Sequence, residues 1–412
     1  MIPQSYYRCW VEVDLDALRH NVAAIRRRVG PNVKLMAVVK ADAYGHGLAQ
    51  VGGTLMQCGV DAFAVATLSE ALLLRQIGGG GWPILLFGSA LPFEVAKMIE
   101  QNITPTISTL DEAHLFEEEA RQHAKKVDVH VEVDTGMGRV GLWHEDAAKT
   151  ILQIVALQHV CVAGLYTHFP SADENVDETR RELGLFQKVA QELASEQVTI
   201  PFLHAANSAA VLNLPEAHLT MVRPGLLLYG ICPSFPGRDG LRKRHASRPP
   251  GRPKTVSSGA LGGRALPTTA DNEFLPALSF KARVAFVKEA AAGRTISYGQ
   301  TFTAEKSMRI ATVTAGYADG FSRHLSNKAE VLIGGQRCPV IGRVTMDQIM
   351  VDVTKLRDVQ CGDEVVFIGR QGDAQITASD VAGWEDTIPW EVLCGITKTD
   401  RVPCIYRGAA AA

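Results

Sequence analysis

The sequence lacks any apolar stretch that approaches transmembrane length. Its start, MIPQSYYRCWVEVD, also lacks a basic segment followed by an apolar one. A membrane-spanning helix needs about 20 largely apolar residues in a row, and a secretory signal needs both of those segments. We therefore expect neither membrane association nor secretion, and predict a cytoplasmic protein.

The sequence also lacks an excess of either charge, and it lacks paired cysteine motifs. The formal net charge at pH 7 is −2, from 42 Lys and Arg against 44 Asp and Glu, so no general attraction to nucleic acid or an anionic membrane is expected. The eight cysteines follow no CxxC or zinc-type spacing, which favours reduced thiols and predicts no metal site.

Length and composition indicate a globular protein with more than one domain. A chain of 412 residues is long for a single hydrophobic core, so two domains are expected. A hydrophobic content of 46% with 21% charged residues is ordinary for such proteins.

The first 235 residues alternate between short apolar runs and helical patterns. A strand is predicted at 9–13, followed by a helix capped by Asp14 or Asp16. Further strands are predicted at 35–39, 62–67, 82–88, 103–109, 127–135, 160–169, 202–206 and 221–222, with helices at 69–77, 111–124 and 177–195 among them. About eight strand–helix units in roughly 230 residues match a (β/α)8 barrel, although the periodicity also allows a doubly wound parallel sheet.

Residues 236–273 do not continue this alternation of strands and helices. They are rich in Gly, Pro, Arg, Ser and Thr, and have too few large apolar residues to offset the entropy of ordering, so a flexible linker is predicted. Its basic cluster 242–244 could bind a polyanion, but a charge run is more often simply solvated. From Leu275 onward, alternating apolar strands with turn glycines predict a mostly β domain over 274–412.

Lys40 closes the apolar strand at 35–39 and precedes a loop that contains Gly45 and Gly47. A lysine at this position either extends from the strand end into solvent or serves as a Schiff-base nucleophile whose pKa is lowered by desolvation. The residues around Lys40 alone leave both interpretations open.

Eight motifs that follow one another along the chain decide between the two interpretations of Lys40. They are VVKADAYGHG (38–47), DTGMGRVG (134–141), THF (167–169), HAANS (204–208), VRPGLLLYG (222–230), SYGQTF (297–302), GYADG (316–320) and GRVTMDQ (342–348). Together they resemble the alanine racemases, which use pyridoxal 5′-phosphate (PLP). The resemblance implies a PLP-binding (β/α)8 barrel over 1–235, whose strand at 9–13 joins the second domain, and a homodimer with shared active sites. It also implies two-base interconversion of L- and D-alanine, which supplies D-alanine for peptidoglycan.

The resemblance assigns the two catalytic bases. Lys40 serves one face of the substrate and Tyr298 the other. The alternative for Tyr298 is a tyrosine packed on a strand. Since tyrosine has an unperturbed pKa of about 10, its environment must make it a competent base.

The resemblance also assigns the cofactor contacts. Arg223 faces the pyridine nitrogen, which stays unprotonated because a guanidinium only donates, and His168 orients Arg223 unless it is an ordinary core histidine. The phosphate is held by Tyr44, Ser208 and the backbone amides of Gly225 and Leu226. Asn207 lies in the same loop, where Asn207 and Ser208 could also simply cap a helix.

For the substrate, the resemblance implies that Arg139 contacts the carboxylate and the cofactor's phenolic oxygen. The Met346 amide contacts the same carboxylate. Asp347 and Tyr317 line the substrate entrance, with a purely structural turn as the alternative for Tyr317.

Two departures from the family pattern bear on the site. Some members carry a carbamylated lysine seven residues before the GMGR arginine, where this chain has Glu132, so we predict that Glu132 pairs directly with Arg139. Trp390 stands where many members have a tyrosine near the phosphate, and Pro170 where alanine is common. A broader or serine-preferring racemase is therefore the alternative function. A decarboxylase of the same architecture and a non-catalytic PLP carrier fit less well, given the motifs and length of the second domain.

Overall fold

The computed structural model describes residues 6–233, 273–396 and 401–408. The predicted linker 236–273 lies outside the described residues except for Glu273. The strands are β1 Cys9–Asp14, β2 Lys34–Val38, β3 Ala62–Val65, β4 Ile84–Ser89, β5 Thr104–Ile107, β6 Val127–Asp134, β7 Leu142–Trp143, β8 Val160–Tyr166, β9 Phe202–His204, β10 Met221–Val222, β11 Leu278–Ala290, β12 Thr295–Ile296, β13 Phe302–Thr303, β14 Met308–Val313, β15 Glu330–Ile333, β16 Gln336–Ile341, β17 Ile349–Asp352, β18 Glu364–Gln371, β19 Ala374–Ile376 and β20 Cys404–Arg407. The helices are α1 Leu15–Val29, α2 Lys40–Gly45, α3 Leu48–Gln57, α4 Leu68–Gly78, α5 Val95–Glu100, α6 Leu110–Gln122, α7 Ala147–Val155, α8 Val176–Ser195, α9 Ser208–Asn213, α10 Ala378–Glu385 and α11 Pro389–Ile396.

The N-terminal part is a closed parallel barrel. Its strands run in the order β5-β4-β3-β2-β10-β9-β8-β6, and β5 also pairs with β6, which closes the ring. A doubly wound sheet would leave two open edges. The predicted (β/α)8 barrel is therefore confirmed, and its active-site face is expected at the carboxyl ends of these strands.

Local sequence explains how the barrel begins. The Asp14 side chain accepts hydrogen bonds from the amides of Asp16 and Ala17, so Asp14 is the residue that caps α1. Leu18 and Val22, one turn apart, are buried on the inner face of α1. No helix in the described part of the chain is both long and apolar enough to span a membrane.

The C-terminal part is mostly β, as predicted. β11 pairs antiparallel with β14 and β18, and β15, β16 and β17 complete a ring of antiparallel pairings. The first strand joins this domain, because β1 pairs with β11 and runs parallel to β20. The exact limits of the domains stay a prediction.

Asn21 of α1 joins the two parts of the chain. Its Nδ2 donates to the carbonyl oxygens of Leu228 (3.0 Å) and Leu275 (2.8 Å), and its Oδ1 accepts from the Leu275 amide (2.8 Å). Because Asn21 is fully buried, these bonds satisfy the polar atoms of its own side chain. They fix the start of the second domain against the end of the barrel.

The loop after β6 is shaped by two carboxylates. Asp134 accepts hydrogen bonds from the amides of Gly136 (2.8 Å) and Gly138 (2.7 Å), which turns the chain so that Arg139 follows at the barrel face. Glu182 of α8 lies behind Gly136 and is only 1% exposed, and its Oε2 has no hydrogen-bond partner among the described residues. Burial, followed by the negative charges of Glu178 and Asp134, raises the pKa of Glu182 to about 7.

The substitution Glu182→Gln is expected to stabilise the folded protein relative to the wild type, and to do so more strongly as the pH rises. A carboxyl group whose pKa is raised in the folded state favours folding only while it is protonated, so the wild type loses stability as the pH increases from about 4.5 to 7. The difference in unfolding free energy between variant and wild type should grow by up to about 2.5 kcal/mol between pH 5 and pH 8. Urea denaturation at the two pH values measures it.

Glu192→Gln, at an exposed position of the same helix, is the matched control for loss of one negative charge. A Glu182→Gln difference that stays the same at both pH values would contradict a raised pKa in the folded protein.

Candidate active site

The loop after β2 has an unusual backbone. Lys40 follows the strand, and the next four residues, Ala41 to Tyr44, all have left-handed dihedral angles with φ between 52° and 55°. A left-handed residue with a side chain costs roughly 1–2 kcal/mol, and strain of this kind is typical of functional sites. The surrounding structure must therefore hold this turn in place.

Three polar side chains hold the turn. The Ala41 amide donates to Glu70 Oε1 (2.6 Å), and the Leu48 amide donates to Asp42 Oδ1 (2.7 Å) at the start of α3. His46 is fully buried, and its Nδ1 lies 3.0 Å from the Ala43 carbonyl oxygen. Since a carbonyl only accepts, Nδ1 carries the proton. These contacts fix the direction in which Lys40 leaves the strand.

Lys40 is half-buried at the barrel face. Burial lowers the pKa of its amine and the nearby charge of Arg139 lowers it further, whereas Glu70 and Cys394 oppose the shift. A lowered pKa increases the fraction of neutral, nucleophilic amine at neutral pH. This environment favours the nucleophile interpretation of Lys40 over the solvent-exposed one.

Arg223 follows β10 and is 2% exposed. Its guanidinium donates to the carbonyl oxygens of Thr167 (2.7 Å) and His204 (2.8 Å), and it lies 5.0 Å above the centre of the Tyr166 ring. Burial lowers its pKa to about 10, so it stays charged at neutral pH. No carboxylate among the described residues forms an ion pair with Arg223.

Two further histidines extend this arrangement. His204 Nδ1 lies 2.9 Å from Arg223 Nη1, and His204 Nε2 lies 2.8 Å from His130 Nδ1. Because a guanidinium never accepts, Nδ1 of His204 must accept and its Nε2 must donate to His130. Burial and the charge of Arg223 lower the pKa of both histidines, that of His130 to about 3, which keeps both rings neutral.

The predicted contact between His168 and Arg223 is wrong, because the histidine that hydrogen-bonds Arg223 is His204. His168 nevertheless lies near the site. Burial lowers its pKa to about 3, and the charges of Arg223, Arg139 and Lys40 contribute in that order. His168 is therefore a neutral ring near three basic side chains.

The predicted pair of Glu132 and Arg139 is also wrong. Glu132 is buried and its Oε2 accepts a hydrogen bond from the Tyr166 hydroxyl (2.6 Å), whereas Arg139 is exposed. The cause is the barrel register, which places Glu132 on β6 directly beside Tyr166 on β8. Desolvation raises the pKa of Glu132 despite the opposing contribution of Tyr166.

The residues predicted to bind phosphate come together. Ser208 Oγ accepts hydrogen bonds from the amides of Gly225 (2.9 Å) and Leu227 (3.3 Å). A side chain on Gly225 would lie 2.6 Å from the Tyr44 hydroxyl, so glycine is required for this approach. Asn207 caps α9 by accepting from the Ala210 amide (3.1 Å), so the helix-cap interpretation of Asn207 holds. Leu226 follows Gly225 directly and is buried.

Trp390 lies in α11, which packs against α2. Cys394 of the same helix is close enough to Lys40 and Tyr44 to affect the pKa of both. The helix that carries Trp390 therefore covers the lysine loop, and Trp390 itself is half-buried.

The remaining predicted residues form a second group on the β domain. The Tyr317 amide donates to the Thr345 carbonyl oxygen (3.0 Å), directly before Met346 and Asp347. Tyr298 is 71% and Met346 52% exposed. Within the described part of one chain, no hydrogen bond or ion pair joins this group to Lys40.

The residues of the barrel around Lys40, Ser208 and Arg223 fit the cofactor that the resemblance implies. They offer a lysine amine of lowered pKa, the hydroxyls of Tyr44 and Ser208 beside Gly225, and a buried guanidinium that forms no ion pair with a carboxylate among the described residues. A phosphate monoester, an aldehyde and an unprotonated pyridine nitrogen are the groups that such donors suit.

Several residues that organise the site could not be identified from the sequence. Tyr166 and His204 lie within or beside quoted motifs, but no spacing showed that their rings stack, with centres 5.0 Å apart. Glu70 and His130 lie in ordinary helix and strand patterns. The folded barrel brings Glu70 to the lysine loop and His130 to His204.

Comparisons with known proteins agree over nearly the whole chain. Residues 13–233 match the family model of the alanine racemase N-terminal domain, and residues 277–406 match that of the C-terminal domain. The chain is 38% identical to the alanine racemase of Halothermothrix orenii, covering 97% of this chain and 96% of that one. It is 40% identical to the alanine racemase of Symbiobacterium thermophilum, covering 98% of each.

Solved structures are similar as well. The alanine racemase of Clostridium difficile superposes with a TM-score of 0.84 at 34% identity, covering 98% of this chain and 96% of that one. The alanine racemase of Bartonella henselae, described with covalently bound pyridoxal phosphate, gives a TM-score of 0.81 at 25% identity, covering 97% and 99%. With both domain models matched and the sequence similarity extending over nearly the full length, the chain belongs to the alanine racemase family, whose members depend on PLP.

Proposed function

We propose that this protein interconverts L- and D-alanine with PLP. Two features of the barrel support the proposal: Lys40 is half-buried with a lowered pKa, and Arg223 is buried without a carboxylate partner among the described residues. When bound, PLP supplies the electron sink that makes the α-proton of an amino acid removable. The residues of the chain then decide where that proton goes.

Lys40 is the proposed base on one face of the substrate. Its amine is neutral more often than that of an exposed lysine, because burial and Arg139 lower its pKa. A neutral amine at a fixed position can accept a proton and return it. Tyr298 is the proposed base on the opposite face, which racemisation requires because the proton must be able to return from either side.

Arg223 is the proposed partner of the cofactor's ring nitrogen. A guanidinium offers only donors and holds its protons at neutral pH, so Arg223 would donate a hydrogen bond to the ring nitrogen of a bound cofactor without giving it a proton. Electron withdrawal by the ring is thereby limited, which disfavours side reactions such as transamination. The carbonyl oxygens of Thr167 and His204 hold Arg223 in that orientation.

Substrate and phosphate contacts complete the proposed site. Tyr44, Ser208, Gly225 and Leu226 hold the phosphate, with Asn207 supporting the loop and His168 and Trp390 bordering the cofactor. The substrate residues are Arg139 and Met346 for the carboxylate, and Tyr317 and Asp347 at the entrance.

A homodimer with shared sites explains why the predicted residues form two groups. Tyr298 and Met346 lie exposed on the β domain, with no bond to Lys40 within the described chain. Exposed apolar side chains that are grouped together mark interaction surfaces. We propose that they reach the Lys40 site of a second copy, and that the dimer acts in the cytoplasm to supply D-alanine for peptidoglycan.

Chiral analysis of L-alanine and L-serine incubated with the PLP-loaded protein tests the reaction. We expect D-alanine to form much faster than D-serine, and Lys40→Ala to lower the rate by at least roughly 10³-fold because the base and the attachment point are lost together. Faster turnover of serine would favour the alternative, a wider pocket beside Trp390. Absence of both D-isomers from a PLP-loaded dimer would contradict the proposal.

Mixing two inactive variants tests whether the site is shared. If Tyr298 serves the partner's Lys40, a hybrid of Lys40→Ala and Tyr298→Phe subunits contains one intact site and one doubly impaired site. After subunit exchange of equal amounts, half of the dimers are hybrids, so about a quarter of the wild-type activity should return. No recovery despite hybrids detected by mass spectrometry would show that each subunit uses its own Tyr298.

A further inference from the structure

The last described segment of the chain, residues 401–408, lies against both domains. β20 runs parallel to β1, and the Val11 amide donates to the Pro403 carbonyl oxygen (3.0 Å). A side chain on Gly47, in the lysine loop, would collide with the Tyr406 hydroxyl. At the start of this segment, Arg401 contacts the loops of the β domain.

Arg401 contacts one carboxylate in each of two loops. Its Nη2 lies 2.7 Å from Asp347 Oδ1, and its Nε lies 3.3 Å from Asp319 Oδ1. Asp319 is only 2% exposed, and its other oxygen accepts a hydrogen bond from the Gly316 amide (3.0 Å). Arg401 therefore compensates a buried charge as well as an exposed one, and removing it would leave the buried carboxylate without an ion-pair partner among the described residues.

The two loops carry the residues assigned to the substrate. Tyr317 and Asp319 lie in one, and Met346 and Asp347 lie in the other. Backbone hydrogen bonds join the loops, from the Tyr317 amide to the Thr345 carbonyl oxygen and from Ala318 to Met346, each 3.0 Å. The Arg401 guanidinium also joins these two loops, through its contacts with Asp319 and Asp347.

We propose that Arg401 is a positioning residue for alanine binding. By holding Asp319 and Asp347 together, it fixes the relative position of Tyr317 and the Met346 amide, and it acts through them without touching the substrate. This inference rests on the proposed function. A planar guanidinium presents separate donors to two carboxylates at once, whereas the compact ammonium of lysine cannot reproduce that geometry.

The test compares PLP-loaded wild type, Arg401→Gln, Arg401→Lys and Arg407→Gln. Arg407 is the matched control: it lies on the same segment, is similarly exposed and donates two 2.9 Å hydrogen bonds to Glu12, away from the substrate loops. We expect Arg401→Gln to raise the KM for alanine about tenfold with a smaller change in kcat, because misplacing a binding group by a fraction of an ångström weakens its contact. Arg407→Gln should leave KM unchanged.

Two further comparisons separate positioning from simple attraction of the substrate carboxylate. If position matters, Arg401→Lys retains most of the KM defect, and the defect persists at about 0.5 M salt, where charge attraction between exposed groups is screened. Full rescue by lysine, loss of the defect at high salt, or an equal defect in Arg407→Gln would each overturn the proposal.

Amide hydrogen exchange gives a readout that does not depend on the reaction. The amides of Gly316, Tyr317 and Ala318 should exchange faster in Arg401→Gln than in Arg407→Gln, since the carboxylate that accepts from Gly316 loses its cation. Unchanged exchange there overturns the positioning role. A wild type that fails to racemise alanine while these amides respond refutes the proposed function but not the structural role of Arg401.

Discussion

The site depends on one positive charge buried inside the barrel without a carboxylate partner among the described residues. Burying an unpaired ion costs several kcal/mol unless other groups replace its hydration. Around Arg223 that replacement comes from backbone carbonyl oxygens, the lone pair of His204 Nδ1 and the face of the Tyr166 ring. Burial favours the neutral form of His204 and His130, and the charge of Arg223 adds to this effect. Protonation of His204 would place a second cation in direct contact with the guanidinium.

This constraint links the fold to the chemistry. Glu132, Tyr166 and His204 lie side by side on β6, β8 and β9, so one layer of the barrel both supports the guanidinium and keeps the nearest carboxylate engaged by a hydroxyl. At the barrel face, the left-handed turn after Lys40 directs the amine into the same region. The donor Arg223 and the proposed base Lys40 thus follow different strands of the same barrel, β10 and β2.

Much of this organisation could be predicted from the sequence. Short apolar runs revealed the barrel strands, and Lys40 and Arg223 were expected at strand ends, where barrel enzymes place active sites. The contacts of Glu132 and His168 were predicted wrongly, because spacing along one strand does not give the register between strands. The left-handed turn was missed because no residue from Ala41 to Tyr44 is the glycine that such angles favour.

The chemistry proposed here depends on Arg223 keeping the ring nitrogen of the cofactor unprotonated. Nitrogen NMR of the holoenzyme loaded with PLP that is ¹⁵N-labelled at the pyridine nitrogen measures this state directly. If Arg223 acts in this way, the nitrogen should show the chemical shift of a neutral, hydrogen-bonded pyridine throughout the pH range in which the enzyme is active. The shift of a pyridinium nitrogen at neutral pH would contradict it.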